Sequence, residues 1–428
     1  MASSQTQTVP AWVTQMEAGS WYRISGSQPD LGLAPTPVGT RYLGDNDPAL
    51  DRSLNPSRSL ESRLRRWLGR YVKAPWSGRG DFRSITEAWN SAVLASRFGD
   101  SGSMVCFGGG HNNYFGSDVH AFDLATRCWS RISDGYVSGA ADAYGAGAVY
   151  PDAVYPDGSP LPPHTYQYLQ YNPISNELML AKGQQEMGPD VVPTPIPHLF
   201  NFDTLQWRHG PKHPNAALKS GGFSAWDSHR NIHWVHSGDD GDSFAGFSPE
   251  GDNDDGSAGS WSLCHPGKLP KAADHNAMAY DSKRDLLLVL VHQHNALYAI
   301  NPASPSEAAV RLDSLPAIAI SPYATIEYCS VLDRFIYYSA SEGDALYSIT
   351  PPSEASWNET VTATWTWQQL SVAANSLNPV RDAAKYSNSE HNNLEHCFGR
   401  FRLVSYGKTV IAVLVRHIDS PVYAIKLA

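Results

Sequence analysis

Histidine, tyrosine and arginine side chains stand beside short apolar segments at several places in this chain, and together they could transfer protons next to a carboxylate. A neutral imidazole can take a proton, a phenol or a second imidazole can return one, and a guanidinium can hold the negative charge. β-Elimination from a uronic acid needs these groups, because it removes the C5 proton and expels the glycosidic oxygen. We assign His111 and His275 as candidate base and acid, Tyr166 as a supporting acid, and Arg416 as the carboxylate-binding group.

A second set of polar and aromatic residues occupies similar positions and suits contact with a sugar. Aromatic rings can cover the apolar faces of a pyranose, while amides and imidazoles bind its hydroxyl rim. The competing interpretation is that these are ordinary loop residues whose polar atoms bond to the backbone. The candidate substrate-binding residues are Arg83, which is a second candidate for holding a carboxylate, and His164, His236, His292, His294, His391, Asn276 and Tyr323.

Two acidic segments could supply oxygen ligands to a calcium ion. Asp239, Asp240 and Asp242 lie in the segment HSGDDGD, and a second acidic run, DNDD, covers residues 252–255. Calcium takes six to eight oxygen ligands, but neither segment has the spacing of a complete calcium-binding loop. Solvated acidic turns are therefore the competing interpretation, and Ca²⁺ is the one cofactor that the sequence suggests.

The elements that position these residues follow a repeated pattern that begins in residues 107–129, FGGGHNNYFGSDVHAFDLATRCW. An apolar strand is followed by a glycine-rich turn, an alternating strand, a tight turn, and a strand that opens on tryptophan. Weaker versions return at a spacing of about 40–50 residues, which is typical of four-stranded propeller blades. We count six such units between residues 84 and 428, so the sequence predicts an all-β fold with one β-propeller.

The last unit contains three strands, and a segment near the N-terminus can supply the fourth. SWYRI, residues 20–24, has the aromatic-first pattern of the outer strands of other units. Pairing it into the last blade would close the ring and remove exposed strand edges. Residues 1–83 are then the closing strand with an irregular excursion. A seventh blade hidden in residues 25–84 or 134–163, and an ordinary β-sandwich, are the alternatives.

The propeller arrangement brings many of the candidate residues to one face. Loops between the second and third strands of a blade, and between the fourth strand and the next blade, emerge on the same side. Nine of the 16 histidines fall in these loops. We therefore expect one histidine-rich face at the mouth of the central channel.

Charge and targeting signals exclude several classes of protein. The 428-residue chain has a formal net charge of −10, so we expect neither general nucleic-acid binding nor binding to anionic membranes, both of which need a basic face. No segment is apolar for long enough to predict membrane insertion. The N-terminus has no secretory signal pattern, which predicts a cytoplasmic protein or one released in a virion.

The glycine triplet followed by DVHAFDLATRCW resembles a blade of kelch-type or galactose-oxidase-like propellers. The glycine doublet is absent after the second strand of the other five units. The histidine, tyrosine and arginine set is also distantly similar to that of propeller polysaccharide lyases. These resemblances imply a carbohydrate-active propeller whose partner is a polysaccharide or oligosaccharide. The alternative is a non-catalytic glycan-binding or structural propeller, such as an adhesion protein in a phage tail or capsid, or an intracellular interaction scaffold.

Overall fold

A computed structural model gives the fold of the chain. It describes residues 7–24, 85–86, 89–109, 117–133, 153–181, 183–187, 190–194, 196–213, 221–237, 244–264, 275–313, 318–353, 356–384, 397–416 and 420–428. Within these ranges no helix is both long enough and apolar enough to cross a bilayer. The helices are short: α1 (Ala11–Thr14), α2 (Trp357–Thr362) and α3 (Pro379–Ala383), with 3-10 turns at His292–His294 and Ala340–Glu342.

Six four-stranded antiparallel sheets form the blades. Blade one contains β2 (Ala92–Ala95), β3 (Ser103–Cys106), β4 (Val119–Asp123) and β5 (Cys128–Ser133). Blade two contains β6 (Leu169–Asn172), β7 (Glu177–Leu180), β10 (His198–Asn201) and β11 (Gln206–His209), with an additional hairpin of β8 (Gly183–Met187) and β9 (Asp190–Thr194) between its second and third strands. Blade three contains β12 (Phe223–Asp227), β13 (Ile232–His236), β14 (Phe244–Asp252) and β15 (Ala258–Cys264).

The remaining three blades repeat the same order. Blade four contains β16 (Ala277–Asp281), β17 (Leu286–Val291), β18 (Ala296–Ile300) and β19 (Val310–Arg311). Blade five contains β20 (Thr325–Cys329), β21 (Arg334–Tyr338), β22 (Leu346–Thr350) and β23 (Thr366–Leu370). Blade six contains β24 (Phe401–Tyr406), β25 (Thr409–Val415), β26 (Val422–Lys426) and β1 (Trp21–Arg23).

The first strand of each blade is its inner strand, and the six inner strands form a closed ring. Each contacts the inner strand of the next blade, from β2 through β6, β12, β16, β20 and β24, and β24 contacts β2 again. This closure leaves no gap for another blade, so six blades is the correct count and the seventh-blade alternative is wrong. The predicted all-β propeller is confirmed, and the β-sandwich is excluded.

The N-terminal strand closes the ring, as the sequence predicted. β1 pairs antiparallel with β26, and Trp21 lies opposite Ile425. The buried Trp21 donates its indole N–H to the Asp344 carbonyl oxygen at 3.0 Å. Arg23 binds both carboxylate oxygens of Asp382 at 2.5 and 2.6 Å. The N-terminal strand is therefore joined to β26 by a strand ladder, to blade five by the Trp21 indole, and to α3 by a bidentate ion pair.

The core lies between blades, which explains the uninterrupted apolar sequence of strands such as β17, LLLVLV. Alternate side chains of a strand point to opposite faces of its sheet. Leu286, Leu288 and Leu290 belong to a cluster with residues of blade five, whereas Leu287, Val289 and Val291 pack with residues of blade three. Both faces of β17 are therefore buried, which is why its sequence is apolar at every position and does not alternate.

Turns between the first two strands are joined from blade to blade by a repeated ion-pair network. In DSHRN, Arg230 binds Asp227 of its own turn at 2.9 Å and Asp285 of the next blade at 2.6 Å. In DSKRD, Arg284 binds Asp281 at 2.8 Å and Asp333 of the next blade at 2.7 Å. Arg284 holds the pKa of Asp333 below its usual range. The network thus ties blades three, four and five together.

Arg284→Ala is expected to lower the free energy of unfolding by about 3 kcal/mol, because it leaves the buried Asp281 carboxylate without its cation. Arg230→Ala is the matched control. Arg230→Ala also uncovers a buried carboxylate, that of Asp227, but the Arg230 side chain is 27% exposed against 4% for Arg284. The Trp234 indole N–H still donates to Asp227 at 3.1 Å, so we expect a smaller loss of about 1 kcal/mol. Chemical denaturation of both variants measures the difference. Equal losses would contradict the burial argument.

One buried histidine makes stability dependent on pH. His233 in β13 is fully buried, its two ring nitrogens have no partner among the described residues, and desolvation lowers its pKa to about 3. The unfolded chain therefore binds the proton more readily than the folded chain below about pH 6.5. The stability contributed by neutral His233 is present above that pH and is lost as the pH falls towards 3.

We expect His233→Leu to reduce this loss by up to about 4 kcal/mol at low pH. Leucine has a similar volume and carries no group to protonate. The measurement is the free energy of unfolding between pH 7 and 4 for wild type and variant. Parallel curves would show that His233 does not carry the dependence.

Candidate functional site

The site is built on six equivalent positions, each two or three residues ahead of an inner strand. All six have left-handed backbone, with φ between 44° and 72°. Such φ values are uncommon outside glycine, and strained backbone of this kind clusters at functional sites. The six positions are Trp89, Tyr166, Gly221, His275, Tyr323 and Phe398.

Main-chain hydrogen bonds join these positions from blade to blade. The N–H of Tyr166 donates to Trp89 at 2.7 Å, and that of His275 donates to Gly221 at 2.7 Å. The N–H of Tyr323 donates to His275, and that of Phe398 donates to Tyr323, both at 3.2 Å. These four hydrogen bonds help to hold the backbone in its left-handed conformation, which fixes the points from which the side chains extend.

The side chains at these positions meet at the channel axis and form what we call the channel-mouth cluster: Trp89, Tyr166, His275, Tyr323 and Phe398. The His275 ring lies 4.5 Å from Tyr323 and 5.5 Å from Tyr166, measured between centroids. The Phe398 ring lies 6.2 Å from Tyr166, although the two belong to blades six and two. Contacts between blades that are not neighbours show that the rings converge on the axis.

Blade three contributes no side chain to the cluster, and a glutamine fills the space behind it. Gln167 crosses from blade two and donates its amide N–H groups to the carbonyls of Asn276 at 2.9 Å and Ala324 at 3.1 Å. A Cβ atom on Gly222 would lie 1.7 Å from the Tyr168 hydroxyl oxygen. Glycine at this position is therefore required for the ring to close.

A second side chain crosses the channel below Gln167. Arg402 of blade six donates to the Ala92 carbonyl at 2.8 Å, forms an ion pair with Glu327, and reaches the Leu169 carbonyl at 3.5 Å. One guanidinium thus bonds to blades one, two and five. The Arg402 side chain therefore links inner strands of blades on different sides of the channel.

Two predicted substrate-binding residues form an oriented pair next to His275. Asn276 is buried, and its Oδ1 atom lies 3.1 Å from Nδ1 of His292 and accepts the His292 backbone N–H at 3.1 Å. Because Asn276 Oδ1 can only accept, the proton of neutral His292 is on Nδ1 and its Nε2 carries a lone pair. Burial lowers the pKa of His292, which keeps this imidazole neutral. His292 Nε2 is therefore a proton acceptor at neutral pH.

The other described histidines differ in exposure and partners. His164 is buried, with its ring 4.8 Å from Trp89 and 6.0 Å from Tyr166, so it packs against the cluster. His236 is buried against Phe223, and its Nδ1 lies 2.5 Å from the Ser237 carbonyl oxygen. His294 is exposed in the turn after β17. The structure therefore brings His164 to the cluster, whereas no ring contact joins His236 or His294 to it among the described residues.

Arg416, the predicted carboxylate-binding residue, is 1% exposed at the end of β25. Its Nη1 atom lies 3.7 Å from the Cys397 sulfur, and Cys397 directly precedes Phe398 of the cluster. Nε and Nη2 have no hydrogen-bond partner among the described residues. These two atoms form the edge that binds a carboxylate with two parallel hydrogen bonds. The guanidinium is, however, enclosed and not exposed on the face.

Several predicted residues fall outside the described ranges. They are His111, Arg83 and His391, and the candidate calcium ligands Asp239, Asp240 and Asp242. Across the ranges that are described, no three histidine, cysteine, aspartate or glutamate residues lie close enough to hold a metal ion. The acidic run at 252–255 lies inside those ranges, and all four of its residues are exposed.

Sequence reasoning missed Trp89, Phe398 and Gln167. Trp89 lies three residues ahead of the first strand of blade one, which begins at Ala92, and its left-handed backbone separates it from that strand. A signal was present, since an aromatic residue or histidine stands two or three positions ahead of five of the six inner strands. Gln167 left no such signal, because its partners are 109 and 157 residues away.

Comparisons with known proteins bear on the fold alone. No family model matches the chain, and no curated protein matches it. The chain is similar to the solved structure of YjhT, with 11% sequence identity and a TM-score of 0.39, over 65% of this chain and 83% of that chain. The class of protein, a six-bladed β-propeller, is defined by the strand pairing described above.

Proposed function

We propose that the channel-mouth cluster binds a uronate-containing glycan and that the protein cleaves it by β-elimination. The observation that carries this proposal is the convergence of His275 with Tyr166 and Tyr323, whose rings lie 5.5 and 4.5 Å from His275. An imidazole between two phenols can accept and return a proton on one short path. The aromatic faces around it suit the apolar side of a sugar ring.

In the proposed reaction, the C5–H bond breaks and its proton goes to a neutral imidazole. The electron pair forms the C4–C5 double bond, the C4–O bond breaks, and the leaving oxygen takes a proton from a phenol. His275 and His292 are the described imidazoles that can act as the base, and Tyr166 or Tyr323 supplies the proton. The positive charge of Arg416, enclosed beside Cys397, lowers the cost of negative charge on the C5 carboxylate.

The resemblance of blade one to kelch-type propellers and of the residue set to propeller lyases supports the same proposal. The polysaccharide partner follows from the chemistry of the cluster: rings for the sugar faces, imidazoles for the hydroxyl rim, and a guanidinium for the acid group.

A second candidate function is glycan recognition without cleavage, as in an adhesion protein of a virion. The burial of the cluster favours it. Tyr166 is 6% exposed and Phe398 is fully buried, so part of the cluster acts as a packed plug. Buried side chains of this kind can support a binding surface without taking part in a reaction.

Incubation of the protein with a panel of uronate-containing polysaccharides tests the proposal. Each elimination creates an unsaturated uronate with its own ultraviolet absorbance band. Increasing absorbance on at least one polysaccharide, with none on neutral glucans, is the expected result. Binding of a uronate glycan without an increase would favour recognition, and the absence of both would overturn the proposal.

A further inference from the structure

We propose that a cleft at the outer edge of blade three, separate from the channel mouth, binds a neutral saccharide of one or two rings. The cleft has a volume of about 630 Å³. It lies where the β14–β15 hairpin meets the segment that follows β11, and β11 and β15 are the outermost strands of their blades. The residues that define this blade-three cleft are Pro211, Lys212, Asn253, Asp254, Asp255 and Trp261.

One wall of the blade-three cleft is a fixed indole. Trp261 is half-buried and donates its Nε1–H to the Pro211 carbonyl at 3.0 Å. Its ring packs against Phe247 at 5.1 Å and meets His213 edge-on at 4.5 Å. These contacts hold the indole in place, so little side-chain entropy is lost when a ligand packs against it. A flat apolar surface of this kind suits the C–H face of a pyranose.

The facing wall is a rigid turn that presents oxygen atoms. Asn253 is fixed because its N–H donates to the Ser257 carbonyl at 2.8 Å and its Nδ2 donates to the Gly259 carbonyl at 2.9 Å. Asp255 Oδ1 accepts the Ser257 N–H at 2.9 Å and its hydroxyl at 2.6 Å. This arrangement leaves Oδ2 of Asp255 to accept a hydroxyl group from a ligand.

An irregularity in the hairpin places the two walls beside each other. The register of β14 and β15 shifts between Ser248 and Asp252. Gly259 has φ +83°, and a Cβ atom there would lie 2.2 Å from the Ser248 carbonyl oxygen. A β-bulge changes the direction of its strand and is often found next to a binding site. Gly259 is thus required because no other residue fits this bulge, and the bulge sets the orientation of the turn.

The charge of the blade-three cleft selects a neutral ligand. Asp254 and Asp255 contribute two negative charges and Lys212 contributes one positive charge, which leaves a net charge of −1. A uronate, a sulfate or a phosphate would be repelled. Carboxylate and amide oxygens instead accept hydroxyl groups, and about 630 Å³ is within the range of small-molecule sites. The blade-three cleft and the channel mouth therefore prefer ligands of different charge.

Saturation-transfer NMR and calorimetry test the proposal. The ligands are a panel of neutral glucosyl, galactosyl and mannosyl disaccharides, and a glucuronate disaccharide is the charged comparison. We expect at least one neutral disaccharide to bind and the glucuronate not to bind at this cleft. The double variant Asp254→Asn, Asp255→Asn should weaken binding about tenfold, because amides accept fewer hydroxyl hydrogen bonds. Both residues are exposed, so the fold is retained.

Two controls separate the blade-three cleft from other effects. Asp100→Asn removes one negative charge from an exposed aspartate in blade one and should leave the affinity unchanged. His275→Asn alters the channel mouth and should also leave it unchanged, so failure of the proposed lyase function does not affect this test. Absence of binding by every neutral disaccharide, or binding that is insensitive to the double variant, would overturn the proposal.

Discussion

His275→Asn is expected to lower the rate of uronate-glycan cleavage by about 10²–10⁴-fold, the usual contribution of a positioned proton-transfer group. Asparagine is chosen because His275 has φ 72°, and asparagine tolerates left-handed backbone better than most residues. The ring contacts to Tyr166 and Tyr323 are lost with the imidazole, while the main-chain hydrogen bonds at position 275 are retained. The initial rate of ultraviolet absorbance increase is the measurement.

His229→Asn is the matched control for this experiment. His229 is in the turn between the first two strands of blade three, where its Nδ1 lies 3.8 Å from Asp285. It has no contact with the channel-mouth cluster among the described residues. The control should cleave at the wild-type rate. If His275→Asn also keeps that rate, His275 has no role in proton transfer, and His292 becomes the next candidate for the base.

Gly222→Ala is expected to lower the free energy of unfolding by more than about 3 kcal/mol. The new methyl group would lie 1.7 Å from the Tyr168 hydroxyl oxygen and 2.6 Å from the His236 carbonyl oxygen. One of these atoms belongs to the backbone, so a change of side-chain rotamer cannot relieve the clash. The inner strands of blades two and three would have to separate. Thermal and chemical denaturation measure the loss.

Gly407→Ala separates this steric effect from the general cost of replacing glycine. Gly407 has φ +62°, but a methyl group there would meet nothing within 4 Å. We expect a loss of about 1 kcal/mol from backbone strain alone. Comparable losses for the two variants would contradict close packing at Gly222.

The blade pattern could be predicted from the sequence because it depends on local pairing. Adjacent antiparallel strands joined by short turns produce a repeated sequence pattern, such as the turns DSHRN and DSKRD. The pairing of residues 20–24 with the last blade could also be predicted, because a blade with three strands has an exposed edge that a fourth strand covers. Trp21 and Arg23 then fix that strand to blades five and six by contacts that span more than 300 residues.

The interior of the channel could not be predicted in the same way. Gln167 and Arg402 bond to backbone atoms of distant blades, and these positions become neighbours only when the ring closes. The burial of Arg416 could not be predicted either. The sequence around it is that of a polar loop, yet its side chain is enclosed beside Cys397. Blade two also contains the hairpin of β8 and β9 between its second and third strands, and the other five blades give no pattern from which it could be predicted.

Binding of a uronate oligosaccharide to wild type and to Tyr323→Asn, measured by calorimetry, tests most directly whether the channel mouth is the glycan site. Tyr323 is half-buried and its ring lies 4.5 Å from His275. Asparagine again suits its φ of 66°. Loss of one stacking ring should weaken binding about tenfold. Equal affinity of the two proteins for the oligosaccharide would contradict a glycan site at the channel mouth.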